Sequence, residues 1–142
     1  MTFFQDEKHL YKCLGGLFEK VRRDAMIGPK LATAALVIRF LYEEPEGQIT
    51  IDLKTPPGDG TFFSTFYGKN DLEADVVMSM KADVGHRFWF GKVNLVAALT
   101  RRQIVAKGPI PKILKLLPAI QPTYAMYPEI LKELGEDKIL LA

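Results

Sequence analysis

The chain has 142 residues, 48% of them hydrophobic, with 19 Lys plus Arg against 17 Asp plus Glu for a net charge of +2. That length fits one domain able to bury about 70% of the surface its unfolded chain exposes, and the near-balanced charge lacks the concentrated field of a nucleic-acid binder. The lone Cys13 excludes an intrachain disulfide and a cysteine zinc site, and no apolar run is long enough for a membrane span.

The opening MTFFQDEKHLYK interleaves acids and bases where a secretory leader needs an unbroken apolar run, so a cytoplasmic protein is expected. A helix is predicted over 7–26 from the stripe Leu10, Cys13, Leu14, Leu17, Phe18, Val21 and Ala25. Gly15-Gly16 in its middle marks either a close helix contact or a kink, and Gly28-Pro29 is read as the end of the segment.

Residues 34–42 (AALVIRFLY) predict a central strand with Leu36, Ile38, Phe40 and Tyr42 on one face, covered on both sides for much of its length. Ile49, Ile51 and Leu53 alternate with polar neighbours in a second strand, and 61–67 makes an aromatic third strand after the turn residues 56–60. These three predict an antiparallel meander. A fourth strand over 75–81 carries Val76, Met78 and Met80 on one face.

Asp83 is the expected N-cap of a short helix over 84–90, Gly91 its exit, and Asn94 the cap of another helix over 95–100. A fifth strand follows over 103–107. The two helices before it give a connection long enough for a crossover between the fourth and fifth strands. Pro111 suits the first turn of a helix bearing Ile113, Leu114, Leu116, Leu117 and Ile120, limited by Pro118. Residues 122–127 read as a linker or flap before a last helix that starts around Pro128 and stops at Gly135.

The run ADVVMSMKADVGHRFWFGKVNLVAALTRRQIVAKG orders an apolar strand, a short helix ending in Gly-Lys, an Asn-led helix and a basic strand ending at Gly108. In this order of elements the chain resembles the sterol carrier protein type 2 domain over about 34–120. The resemblance implies an α+β fold with a mixed five-stranded sheet packed against helices, enclosing an apolar cavity. It further implies a single domain over 1–142, a ligand such as a fatty acid, acyl-CoA, sterol or phospholipid, and no fixed catalytic set. The helices around 84–90, 95–99 and 113–117 should help form the cavity. The extension over 124–142 departs from the minimal domain; it could close the mouth, pack against the sheet or make a subunit contact.

Candidate lining residues are Phe88, Trp89, Phe90, Val93 and Leu95, then Leu99, Ile113, Leu116 and Leu117, with Met78 and Met80 as an adaptable wall. Ordinary core packing competes at each of these positions. Lys92, Arg101, Arg102, Lys107, Lys112 and Lys115 read as a solvated face, with transient contact to an acidic headgroup or membrane as the sharper alternative.

Chemistry is sparse. His9 and His86 show no orienting partner in the sequence, Cys13 lies in the apolar stripe, the scattered aspartates form no metal or hydrolase motif, and no glycine run cradles a phosphate. No cofactor or metal is expected. The leading function is therefore non-enzymatic binding or transfer of a lipid-like apolar ligand. The alternative is a cavity-filled protein-interaction or homo-oligomerisation module, with a homodimer as its simplest form.

Overall fold

A computed structural model describes residues 2–141. Helix α1 (Glu7–Arg23) starts where the Asp6 carboxylate accepts from the His9 N–H at 2.8 Å, and it ends in Lys20, Arg22 and Arg23, charges that suit both poles of its dipole. It stops three residues before the expected end. The glycine pair proves to be a contact, because α1 runs through it unbroken. A Cβ at Gly15 would stand 3.0 Å from the Tyr67 ring, and one at Gly16 3.2 Å from Leu134.

A second helix, α2 (Ile27–Ala32), occupies what the sequence suggests is a break. The Asp24 carboxylate accepts from the Met26 and Ile27 N–H groups, and Pro29 falls in the first turn, where a helix does not use its N–H.

The sheet comprises β1 (Val37–Glu43), β2 (Gly47–Asp52), β3 (Ser64–Tyr67), β4 (Val76–Lys81) and β5 (Ile104–Lys107) in the order β3-β2-β1-β4-β5. The first three strands form the expected antiparallel meander, but the parallel pair is β1 with β4, and β4 meets β5 antiparallel. The crossover thus lies between β3 and β4. It carries the chain past β2 and β1 to the far side of the central strand β1.

Register places Phe40 beside Ile49 and Met78, and Tyr42 beside Met80, so one face of the sheet is a continuous apolar floor. Helices cover that face. On the other face Arg39 is half-buried and donates to Thr50 Oγ1, Asn70 Oδ1 and the Leu72 carbonyl, so a polar loop shields the middle of β1 in place of a second helical layer.

After β4 come α3 (Ala82–Trp89) and α4 (Leu95–Thr100), the latter capped by Asn94 as expected. Asp83 is not the N-cap of α3. The helix starts directly off the strand, with Lys81 at the cap position, and the Asp83 carboxylate accepts instead from the Phe3 N–H at 2.9 Å. Two very short helices, α5 (Ile110–Leu114) and α6 (Leu117–Ile120), follow β5.

The expected linker over 122–127 is helical: α7 spans Thr123–Glu133 with Pro128 inside it. An interior proline costs about 3 kcal/mol. Burial of Thr123, Tyr127, Ile130 and Leu131, with α7 packed against α1, offsets that loss. Gly135 then ends the helix at φ +75°, and a short 3-10 turn (Asp137–Ile139) closes the described chain.

Candidate functional site: an apolar chamber

Between the sheet floor and the helices lies a chamber with a free volume of about 50 Å³. Ile38, Phe40 and Tyr42 of β1, Met78 and Met80 of β4, and Ile104 of β5 contribute its floor. Leu17, Phe18 and Val21 of α1 face them, and Phe88 and Trp89 of α3 close one side. Ile113, Leu116, Leu117 and Ile120, from the α5–α6 stretch, close the other. Among the described residues, no charged side chain lies on this wall.

Eight of the sequence candidates meet there: Met78, Met80, Phe88, Trp89, Leu95, Ile113, Leu116 and Leu117. Three do not. Phe90 turns to the far side of α3, where its ring centroid lies 5.0 Å from those of both His86 and Tyr127. Val93 lines a separate surface depression with Arg87, Lys92 and Arg101, and Leu99 packs half-buried outside the chamber wall.

Sequence reasoning assigned the floor of β1 to one face without reading it as chamber, and it took the α1 stripe for core alone. The signal lay in their combination. A strand face rich in Phe and Tyr opposite a helix face rich in Leu and Phe leaves large rings to tile one space. Phe18 stacks on Phe40 at 5.7 Å and meets Trp89 edge-on at 5.4 Å.

Both histidines have partners that sequence spacing hides. His86 is fully buried: its Nε2–H donates to the Ile139 carbonyl and its Nδ1 accepts from the Tyr127 hydroxyl, each at 2.8 Å. It ties the end of the chain to α3. Desolvation holds its pKa below the usual 6.5, so the unfolded chain takes up the proton first. Stability from this group is full above about pH 6.5 and is lost as pH falls from there through the folded-state value. Thermal melts followed by circular dichroism should show a midpoint that falls between about pH 7.5 and about pH 5, with a smaller fall in His86→Gln. An equal fall in both proteins would remove His86 as the cause.

His9, Cys13 and Glu136 bring their ligating atoms within 4.8 Å of one another, away from the chamber wall. The His9 Nδ1 accepts from the Gln5 N–H, so its proton sits on Nε2 and is donated to Glu136 at 2.7 Å, while Lys12 holds the other carboxylate oxygen at 2.6 Å. Burial, reinforced by the Glu136 charge, pushes the Cys13 thiol up to about 12. The thiol keeps its proton at neutral pH and is neither an activated nucleophile nor a ready metal ligand. The group is a latch. It fastens the segment after α7 to α1.

No family model matches the sequence, and no curated protein does. Solved structures match its fold. Sterol carrier protein 2 from Yarrowia lipolytica aligns over 86% of this chain and 86% of its own, at 15% identity and a TM-score of 0.54. A Thermus thermophilus protein described as a possible sterol carrier protein aligns over 81% and 83%, at 15% identity and 0.59. An inverting sec-alkylsulfatase from a Pseudomonas species matches over 69% of this chain but only 14% of its own length, at 16% identity and 0.53. The fold is thus shared with these sterol carrier proteins and with one part of the much longer sulfatase chain.

Proposed function

We propose that this chain binds a lipid-like apolar guest, shields it from water and releases it, without making or breaking a bond in it. A fatty acid, acyl-CoA, sterol or phospholipid would each present the required apolar surface. The observation that carries this reading is the uncharged wall, built from sheet and helices in a fold shared with sterol carriers. Each methylene moved from water into it contributes about 0.8 kcal/mol, so eight would supply roughly 6 kcal/mol before ordering costs.

The free volume of about 50 Å³ holds only a few water-sized guests. A lipid chain needs the wall to part. The α5–α6 stretch is suited to that movement: its helices have five and four residues, each has proline in its first turn, and only Lys115 and Leu116 join them. A cytoplasmic setting agrees with the lone thiol of Cys13. Lys92 and Arg101, beside Arg87 on one surface depression, provide a face for transient contact with anionic membranes.

The small volume also favours a second reading, a filled domain that serves assembly. Its natural contact is the edge strand β3, where Phe66 and Tyr67 are exposed, and a homodimer would form there. Native mass spectrometry after gentle purification separates the two. Reproducible co-purified lipid masses are expected from the carrier. A fixed protein stoichiometry with no such mass, and no uptake from added vesicles, would favour the module.

A further inference from the structure

We propose that this chain pairs with a second copy of itself, the acidic tip of the β1–β2 hairpin of each copy entering the basic depression between α3 and α4 of the other. The contact is distinct from the β3 edge, and it does not depend on what the chamber holds.

The net charge of +2 hides a strong division. Between Asp83 and Glu129 the chain has seven Lys or Arg and no acid, so acids outnumber bases in the remainder. Among the described residues, none of those seven cations has an ion-pair partner. Three of them, Arg87, Lys92 and Arg101, rim a depression with a free volume of about 360 Å³, to which Val84, Val93 and Ala97 add an apolar lining. Arg87 is held there by Phe3, its guanidinium 5.3 Å from the ring centroid. Asn94, on the same rim, gives its Oδ1 to the Ala97 N–H, which leaves its Nδ2 as a further donor. An occupant must bring carboxylates and a little apolar surface.

The chain itself carries that combination. At the β1–β2 turn, Glu43, Glu44 and Glu46 are exposed around Pro45, and the sole ion pair there among the described residues is a 3.5 Å contact from Glu44 to Lys81. A protruding turn fills a concave site more fully than a planar layer of lipid headgroups does, so a second copy is the favoured occupant. Tip and depression lie at the same end of the molecule. Glu43 pairs with Lys81 in the parallel ladder, α3 leaves β4 directly, and Arg87 lies about 9 Å further along that helix. Patches of opposite charge set side by side let both contacts form in one two-fold pair, whereas patches at opposite ends would build an open filament. Exposed ion pairs are individually weak, so the pair should be transient and salt-sensitive. It would also cover the cations assigned above to membrane contact.

Sedimentation velocity on the whole chain at about 100 μM tests this. The parent should show a monomer–dimer equilibrium whose dissociation constant rises about tenfold between about 20 mM and about 200 mM salt. Glu44→Lys/Glu46→Lys and Lys92→Glu/Arg101→Glu should each be monomeric alone. An equal mixture of the two should dimerise again, since each reversed tip then meets a reversed depression and each native tip a native one. Asp71→Lys/Glu73→Lys has the same net charge as the tip variant but is changed ahead of β4, at the end of that strand opposite the tip, and should pair as the parent does. All six substituted residues are exposed. A parent that is monomeric at low salt, a dimer that survives either reversal, a mixture that stays monomeric, or a control that fails to pair would each overturn the pairing and leave the lipid reading standing.

Discussion

Gly108→Ala is expected to cost about 3 kcal/mol or more, and to lower the melting temperature by roughly ten degrees in a chain of this length. Gly108 lies just past β5 at φ +120°, a conformation that side chains rarely adopt. A Cβ there would stand 2.3 Å from the Asp75 carbonyl oxygen. That oxygen cannot retreat, because Asp75 is fixed on three sides: its N–H donates to the Val37 carbonyl, while its carboxylate accepts from the Val37 N–H and from Lys54. Damage would therefore spread into the parallel β1/β4 pair that carries the chamber floor.

Gly60→Ala provides the comparison. Gly60 also has positive φ, at +87°, but nothing lies within 4 Å of its Cβ position. Only backbone strain of about 1–2 kcal/mol is expected there. Urea denaturation of the two variants checks the difference. Equal midpoints would mean that strand spacing at Asp75 tolerates the methyl group.

The same contrast between local and distant causes explains what the sequence could tell. Apolar residues at every second position made β1, β2 and β4 legible as strands, and Asn94 announced α4 through its cap. But β2 is not half-buried as expected: Thr50 and Asp52 are buried as well, held by Arg39, Asn70 and the backbone of the following turn. The parallel pairing of β1 with β4 was not legible. It follows from which strands meet in space, and nothing in either strand's composition encodes its neighbour. The start of α7 was hidden for a related reason: Pro128 is a local breaker, overruled by Tyr127, Ile130 and Leu131 packing onto α1 from over a hundred residues away.

At the site, the candidates near Val84 to Leu117 were found because large apolar residues cluster there. Phe90 was drawn in with them, yet one further step along the helix turns its side chain away from Trp89 and towards His86. Tyr42 is the converse case. The sequence placed it on one face of β1 with Ile38 and Phe40, without saying which face is inner, but an unpaired hydroxyl exists only by reference to all its neighbours, and those come from β4 and α3.

Leu116 gives the sharpest division between a chamber that works and one that merely fills. It is buried on the wall between α5 and α6, the stretch proposed to part for a guest. Leu116→Asp places a carboxylate beside Ile113, Leu117 and Ile120 with no cation on the wall, which should cost about 3 kcal/mol and abolish retention of a fluorescent fatty acid. Loss of both properties cannot separate folding from binding. Leu116→Phe does separate them: the larger side chain takes up part of the vacant 50 Å³, so the melting temperature should hold within a few degrees. Retention should then fall about tenfold, because the guest must displace a ring as well as part the helices. If the phenylalanine variant holds the probe as tightly as its parent, the guest does not pass Leu116, and the α5–α6 stretch loses its role as the moving wall.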